Sequence, residues 1–200
     1  MGSSTVFSFS LRAGRLGAAL AVLALLWALS LASAAPASAG ARACPSVNAT
    51  PTQVAQNELV RSTLCLINAQ RARHRVAPLR MSGQLSAAAQ GHAQDMERRN
   101  YFSHNSQTGA TFVDRIRRAG YLRRASYWTI GENLAWGAGI NRSTPLSIVA
   151  AWMNSAPHKA NMLSSRYTEI GIGVAIGAPR GHVRSSLSAA TYATDFGARR

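Results

Sequence analysis

The spacing of apolar residues changes along this chain from a helical to a strand-like repeat, and this order constrains the fold more than any other feature. The segment "TEIGIGVAI" (168–176) alternates Ile and Val with Gly, and "SAATYATDFG" (188–197) has the composition of a closing strand. A further strand is predicted near residues 133–136. With helices mainly before strands, the sequence predicts an α+β domain built in layers.

Four segments carry the spacing or the end signals of helices. The second begins after the capping candidate Ser82, and its apolar stripe includes His92, which is therefore predicted to face the core. The fourth begins at Thr144-Pro145, and we expect Pro157 to end it. The predicted helices are residues 58–74, 82–96, 112–118 and 144–156.

The first 34 residues are typical of an export signal. Two arginines precede an apolar run at 16–31, and the small-residue site Ala-Ser-Ala follows, ending at Ala34 or alternatively at Ala39. A run of sixteen is short for a membrane span, which needs about 20 residues, although an uncleaved anchor stays open. We therefore expect a secreted or extracellular protein.

The remainder of the chain divides into a tail and one domain. Residues 35–56 are rich in Ala, Pro, Ser and Thr and are predicted to be a linker, while residues 57–200 form the domain. Two cysteines in an oxidising compartment leave one intramolecular pairing, Cys44 with Cys65. A reactive free cysteine is the alternative.

The chain is strongly basic, and arginine supplies nearly all of the charge. Its formal charge is +15, and clusters such as "RARHR" (71–75) and "RIRRAGYLRR" (115–124) would suit nucleic acid inside a cell. Because an exported protein leaves the cell, intracellular nucleic acid is not an expected partner. We expect no nucleic acid, and instead lipid head groups or anionic cell-envelope material with peripheral membrane or wall contact. A simply solvated arginine face stays open, and we expect a monomer.

Three dispersed residues are the candidates for chemistry. They are His104 in "YFSH", Glu132 in "GENLAWG" and His158 in "WMNSAPHKANML". Two imidazoles and one carboxylate would suit a divalent metal such as zinc with a coordination position open to water. Considered one at a time, His104 is also consistent with a residue that caps a loop. His158 is also consistent with a residue at the start of a helix. Glu132 is harder to explain as structure alone, because a carboxylate among apolar residues is costly to bury without compensation.

At these residues the sequence resembles a known family. "YFSH", "GENLAWG", "AAWMNSAPHKANML", "TEIGIGVAI" and "YATDFG" occur in the order seen in the CAP superfamily, also called the SCP/PR-1-like or Ags domain, and the match is closest to its bacterial secreted members. The resemblance covers roughly residues 57–197. It implies an α-β-α sandwich with a central antiparallel sheet, and a groove that a His/Glu tetrad lines in the eukaryotic members.

The resemblance assigns positions in that groove. His104 and His158 match the two tetrad histidines, and Glu132 matches the first glutamate. Ser155 stands where the second glutamate is expected, so the tetrad is incomplete, and Trp136 is a candidate for the groove wall. The resemblance thus offers His104, Glu132 and His158 as metal ligands and all five residues as groove residues.

Three functions follow from the sequence, and whether the chain is an enzyme stays open. The favoured one is a secreted module that binds a lipid or cell-envelope ligand in its groove. The alternative is a metal-dependent hydrolase of peptides or envelope polymers, with Glu132 or a metal-bound water as base. The third is a surface protein that acts through its arginines.

Overall fold

A computed structural model describes residues 44–179 and 188–200, which contain five helices and four strands. The predicted signal peptide and residues 35–43 of the predicted linker lie outside the described residues. In chain order the elements are α1 Gln56–Arg73, β1 Arg80–Met81, α2 Gly83–Arg98, α3 Phe112–Arg118, β2 Trp128–Ala138, α4 Pro145–Met153, α5 Ala156–Leu163, β3 Glu169–Ile176 and β4 Ala189–Arg199.

The predicted helices form, with one correction. The Ser82 side chain accepts a hydrogen bond from the Leu85 backbone at the start of α2, as predicted, and Thr144 caps α4 in the same way. The prediction that Pro157 ends α4 is wrong. That helix ends at Met153, and Pro157 instead lies in the first turn of α5, where its missing N–H costs nothing.

The sheet has the strand order β1-β3-β4-β2. Strands β3 and β2 both pair antiparallel with β4, whereas the two-residue β1 pairs parallel with β3. The prediction of an α-β-α sandwich is confirmed, but the sheet is mixed and not wholly antiparallel. The predicted strand at 133–136 is the centre of the longer β2.

Strand β3 shows why the helices lie on both faces of the sheet. Ile170, Ile172 and Val174 belong to the core cluster shared with α1 and α4. The alternate residues Gly171 and Gly173 face α2, where a Cβ at either position would lie 2.0–2.3 Å from helix backbone. Because side chains alternate along a strand, this pattern places α2 directly on one face and the larger core on the other.

The disulfide between Cys44 and Cys65 is present, with 5.6 Å between the Cα atoms, and confirms the predicted pairing. It holds residues 44–55 against the domain as a series of turns, and the last residue of the predicted linker, Gln56, begins α1. The Ser62 hydroxyl donates to Pro45 O, and Leu146 N donates to Val47 O. This segment therefore contacts both α1 and α4.

Within the described residues, no helix has the length and apolar character required to cross a membrane.

Replacing both cysteines by serine is expected to lower the free energy of unfolding by about 3 kcal/mol, because the covalent loop no longer restricts the unfolded chain. The domain should still fold, since its core does not include the cysteines. Urea unfolding of the variant and the oxidised protein measures the difference. Equal unfolding midpoints would contradict the prediction.

Candidate functional site

The carboxylate of Glu132 is fully engaged at the middle of β2. Its Oε1 lies 2.8 Å from His104 Nδ1, and its Oε2 accepts from Arg115 Nη2 at 2.5 Å. The side chain of Glu132 is 1 % exposed, while that of His104 is 55 % exposed. The ion pair with Arg115 compensates the cost of burying the carboxylate, and the histidine ring is held at the surface.

Arg115 also fixes the loop that carries His104. Its Nη1 donates to the carbonyl oxygens of His104 and Ala110, at 3.0 and 3.3 Å. The guanidinium projects from α3, which begins with a capping box between Thr111 and Asp114. One buried arginine therefore positions both the carboxylate and the loop on which the histidine sits.

A second carboxylate lies opposite the first. Asp195 on β4 pairs with Glu132 on β2, is 0 % exposed, and has no hydrogen-bond partner for either oxygen within residues 44–179 and 188–200. Burial first, and then the charge of Glu132, raises the pKa of Asp195 well above its ordinary value of 3.8, whereas Arg115 acts in the opposite direction. The raised pKa favours the protonated form of Asp195, whose hydroxyl can donate toward the neighbouring carboxylate.

The free edge of β2 is covered by polar side chains from the other side of the sheet. Trp152 Nε1 donates to Leu134 O at 3.0 Å, and Asn161 Nδ2 donates to Glu132 O at 3.2 Å. The Tyr167 hydroxyl donates to Ile130 O at 3.2 Å. These bonds satisfy three outward carbonyls of an edge strand, which would otherwise be open to pairing.

Gly131 explains why those side chains reach the strand. A Cβ at this position would lie 2.5 Å from the Tyr167 hydroxyl oxygen and 3.0 Å from Asn161 Oδ1. A side chain here would push Tyr167 and Asn161 away from the strand, so the glycine of the "GEN" motif leaves room for both.

His158 lies beside the same part of β2. It occupies the first turn of α5, and its carbonyl accepts from Asn133 Nδ2 at 3.0 Å. Burial, followed by the charge of His104, lowers the pKa of His158 below its ordinary value of 6.5. His104 is bonded to Glu132 and His158 to Asn133, adjacent residues of β2, and we call His104, Glu132 and His158 the histidine site.

The other two predicted groove residues are less closely tied to this site. Ser155 is the half-buried N-cap of α5, but its side chain makes no capping hydrogen bond. Trp136 is half-buried on the same face of β2 as Glu132, about 13 Å along the strand at 3.3 Å per residue. A role for either residue in ligand binding stays a prediction.

The described ranges contain no group of three or more His, Cys, Asp or Glu side chains arranged to hold a metal ion. The two carboxylate oxygens of Glu132 bond to His104 and Arg115. The site is therefore an ion-paired network with two histidines at its surface. Metal binding by His104, Glu132 and His158 therefore stays a prediction.

Sequence reasoning missed Arg115, Asp195 and Asn161. Arg115 belongs to a cluster predicted to form a basic surface, either facing anionic material or simply solvated, yet its side chain is only 9 % exposed. Asp195 had a signal in the sequence, because burying an aspartate inside "YATDFG" is as costly as burying Glu132. Asn161 lies in the motif that contains His158, but its hydrogen bond to the edge of β2 depends on the fold.

Replacing Asp195 by Asn is expected to change how stability depends on pH. A carboxyl group with a raised folded pKa favours the folded state only while it is protonated, so wild-type stability falls as pH rises from about 4 through that pKa. Asn at this position cannot titrate, and this loss should disappear. Urea unfolding between pH 4 and 8 measures it.

Asp114→Asn is the matched control. Hydrogen bonds from Thr111 lower the pKa of Asp114, so its contribution is present at neutral pH and is lost as pH falls. Relative to wild type, Asp195→Asn should therefore gain stability as pH rises. Asp114→Asn should gain stability relative to wild type as pH falls. Parallel curves for wild type and Asp195→Asn would contradict the assignment.

Comparison with known proteins agrees with the motifs and the geometry. The family model described as the cysteine-rich secretory protein family, CAP, matches residues 64–189. The chain is 37 % identical over 142 residues to the uncharacterized protein YkwD of Bacillus subtilis (strain 168), covering 71 % of this chain and 51 % of YkwD. It is 33 % identical over 111 residues to the uncharacterized membrane protein YlbC of the same organism, covering 56 % of this chain and 30 % of YlbC. The chain thus spans about half or less of these relatives.

Solved structures show the same fold. An extracellular protein containing a SCP domain from Bacillus anthracis str. Ames superposes with a TM-score of 0.54 at 27 % identity, over 72 % of this chain and 43 % of that protein. An outer surface protein from Borrelia burgdorferi gives a TM-score of 0.58 at 20 % identity, over 74 % of this chain and 97 % of that protein. On the family match and the shared fold, the chain belongs to the cysteine-rich secretory protein (CAP) family.

Proposed function

We propose that this chain is a secreted CAP-domain protein whose histidine site binds a lipid or an anionic cell-envelope ligand without hydrolysing it. The observation that carries the proposal is the double engagement of Glu132. Its two oxygens are occupied by His104 and Arg115, and its side chain is buried. A general base must reach the proton that it removes, and a carboxylate in this state does not.

The two histidines are the parts of the site that a ligand can reach. His104 is exposed and His158 half-buried, and the first is held in one orientation by its bond to Glu132. The His104 ring, with its Nδ1 bonded to Glu132, presents Nε2 to an incoming polar group. A pre-oriented ring loses less conformational entropy on binding, which favours affinity.

A lipid surface is favoured by an exposed aromatic and basic corner at the start of β2. Tyr127 is 60 % and Trp128 is 41 % exposed. They follow the exposed Arg123 and Arg124. Aromatic side chains with a polar end favour the interface between water and lipid, and arginine is attracted to anionic head groups.

An extracellular location is part of the proposal. It is supported by the signal-like residues 1–34 and by the disulfide, which is typical of oxidising compartments. The similar proteins from Bacillus anthracis and Borrelia burgdorferi are described as extracellular and outer surface proteins, respectively.

Metal-dependent hydrolysis is the competing proposal. It would use the exposed side of the His104 ring together with His158, while Glu132 orients the first histidine from behind, as carboxylates do for zinc-bound histidines. Such a site has two protein ligands, one fewer than the three usual in catalytic zinc sites. This shortage is why binding is proposed before catalysis.

The test compares the protein with a His104→Ala/His158→Ala variant in binding to phosphatidylglycerol vesicles. Loss of the two imidazoles should weaken binding about tenfold, which corresponds to about 1.4 kcal/mol. Lipid recovered after incubation, with and without added zinc, should be intact. Unchanged affinity would contradict the role of the histidines, and zinc-dependent release of fatty acid would favour the hydrolase.

His74→Ala is the matched control. This histidine is exposed at the end of α1, away from the histidine site, so its loss removes an imidazole without touching the network. Vesicle affinity should not change. If this variant weakens binding as much as the double variant does, the effect reflects general surface chemistry.

A further inference from the structure

A cavity of about 490 Å³ lies between α2, α3 and the loop that joins them. Its volume falls in the range of about 300–1,000 Å³ that is usual for small-molecule sites. Neither His104 nor His158 lines it, and Glu132 does not line it either. The cavity is therefore separate from the histidine site, although Arg115 contributes to both.

Arginine dominates the charge of this cavity. Four arginines and one aspartate line it: Arg98, Arg99, Arg115, Arg118 and Asp95. Asp95 is already paired with Arg99 at 2.9 Å, and Arg115 is paired with Glu132. Arg98 and Arg118 make no salt bridge to any described residue. Two guanidinium groups thus line the cavity without a carboxylate partner in the described part of the chain.

The rest of the lining combines small apolar groups with hydrogen-bonding groups. Ala87, Ala88, Gly91 and Ala119 form short walls, and Ser106 and Thr108 add hydroxyls. These groups can contact carbon atoms and hydroxyls of one small ligand.

Two lining residues have buried atoms that lack partners. His92 is 1 % exposed, and its Nε2 lies 2.9 Å from the Ser103 carbonyl, which makes that nitrogen the donor and Nδ1 an acceptor. His92 Nδ1 and Arg115 Nε have no hydrogen-bond partner among residues 44–179 and 188–200. Both atoms are closed off from solvent, so they lie behind the surface of the cavity, and the groups that a ligand can meet are the arginine, hydroxyl and small apolar groups of the lining.

We propose that this cavity binds the phosphate ester of a small polyol. Guanidinium groups of Arg98 and Arg118 would hold the phosphate, because arginine matches phosphate oxygens in charge and in fork geometry. The hydroxyls of the polyol fit the serine and threonine groups, and its carbons fit the alanine and glycine walls. A lipid head group and a free phosphate ester share this chemistry.

The test is calorimetric titration of the protein with inorganic phosphate, with glycerol 3-phosphate and with dihexanoyl phosphatidylglycerol below its micelle concentration. Glycerol 3-phosphate should bind saturably and more tightly than phosphate, since the polyol adds contacts. Tighter binding of the short lipid would identify a lipid head group, and equal or weaker binding a free ester. No saturable binding of any of the three would overturn the proposal.

Two variants locate the binding. Arg98→Gln/Arg118→Gln should weaken glycerol 3-phosphate binding at least tenfold. Arg73→Gln/Arg75→Gln, which removes two exposed arginines that do not line the cavity, should leave it unchanged. Equal loss in both would indicate a diffuse basic surface and overturn the site.

Gly91 provides a test that does not alter charge. A Cβ at this position meets nothing within 4 Å, so Gly91→Ala should keep both the fold and the binding. Gly91→Leu places a larger side chain in the cavity and should abolish saturable binding while circular dichroism stays helical. Full binding by Gly91→Leu would contradict the proposal.

The histidine-site variant separates this proposal from the proposed function. His104→Ala/His158→Ala should bind glycerol 3-phosphate as the unchanged protein does, since neither side chain lines the cavity. Failure of vesicle binding with retained phosphate-ester binding would count for both proposals. Retained vesicle binding by this variant would contradict the proposed function, and loss of its glycerol 3-phosphate binding would overturn the cavity.

Discussion

The buried ion pair between Glu132 and Arg115 is the interaction on which the candidate site depends. It joins β2 to α3, and through Arg115 Nη1 it also holds the loop that carries His104. A carboxylate with 1 % of its side chain exposed would be severely destabilising without that guanidinium. Burial of Asp195 and the charge of Glu132 both disfavour a second negative charge beside this ion pair.

The pair also lies between the two surfaces that we propose to bind ligands. On one side Glu132 orients His104, and on the other Arg115 lines the cavity between α2 and α3. Glycines allow close approach to the sheet at two places, Gly173 toward the backbone of α2 and Gly131 toward the side chains of Tyr167 and Asn161. Small residues in the strands therefore determine where the polar residues of the site meet.

The sequence predicted the elements better than the network that links them. Helical spacing and capping signals predicted α1 to α4 because these features are local, but Pro157 was misinterpreted because proline fits both the end of a helix and its first turn. Glu132 was singled out because its burial cost can be inferred from apolar neighbours. Arg115 was not, since nothing in its local sequence distinguishes a buried arginine from the exposed ones beside it.

The most direct test of this account is a double-mutant cycle of Glu132→Gln and Arg115→Gln, measured as free energies of unfolding. If the pair anchors the site, each single change should leave a buried charge without its partner, and the two positions should be coupled by about 2 kcal/mol. Additive effects, with a coupling below about 0.5 kcal/mol, would contradict the account and leave Glu132 free for another role.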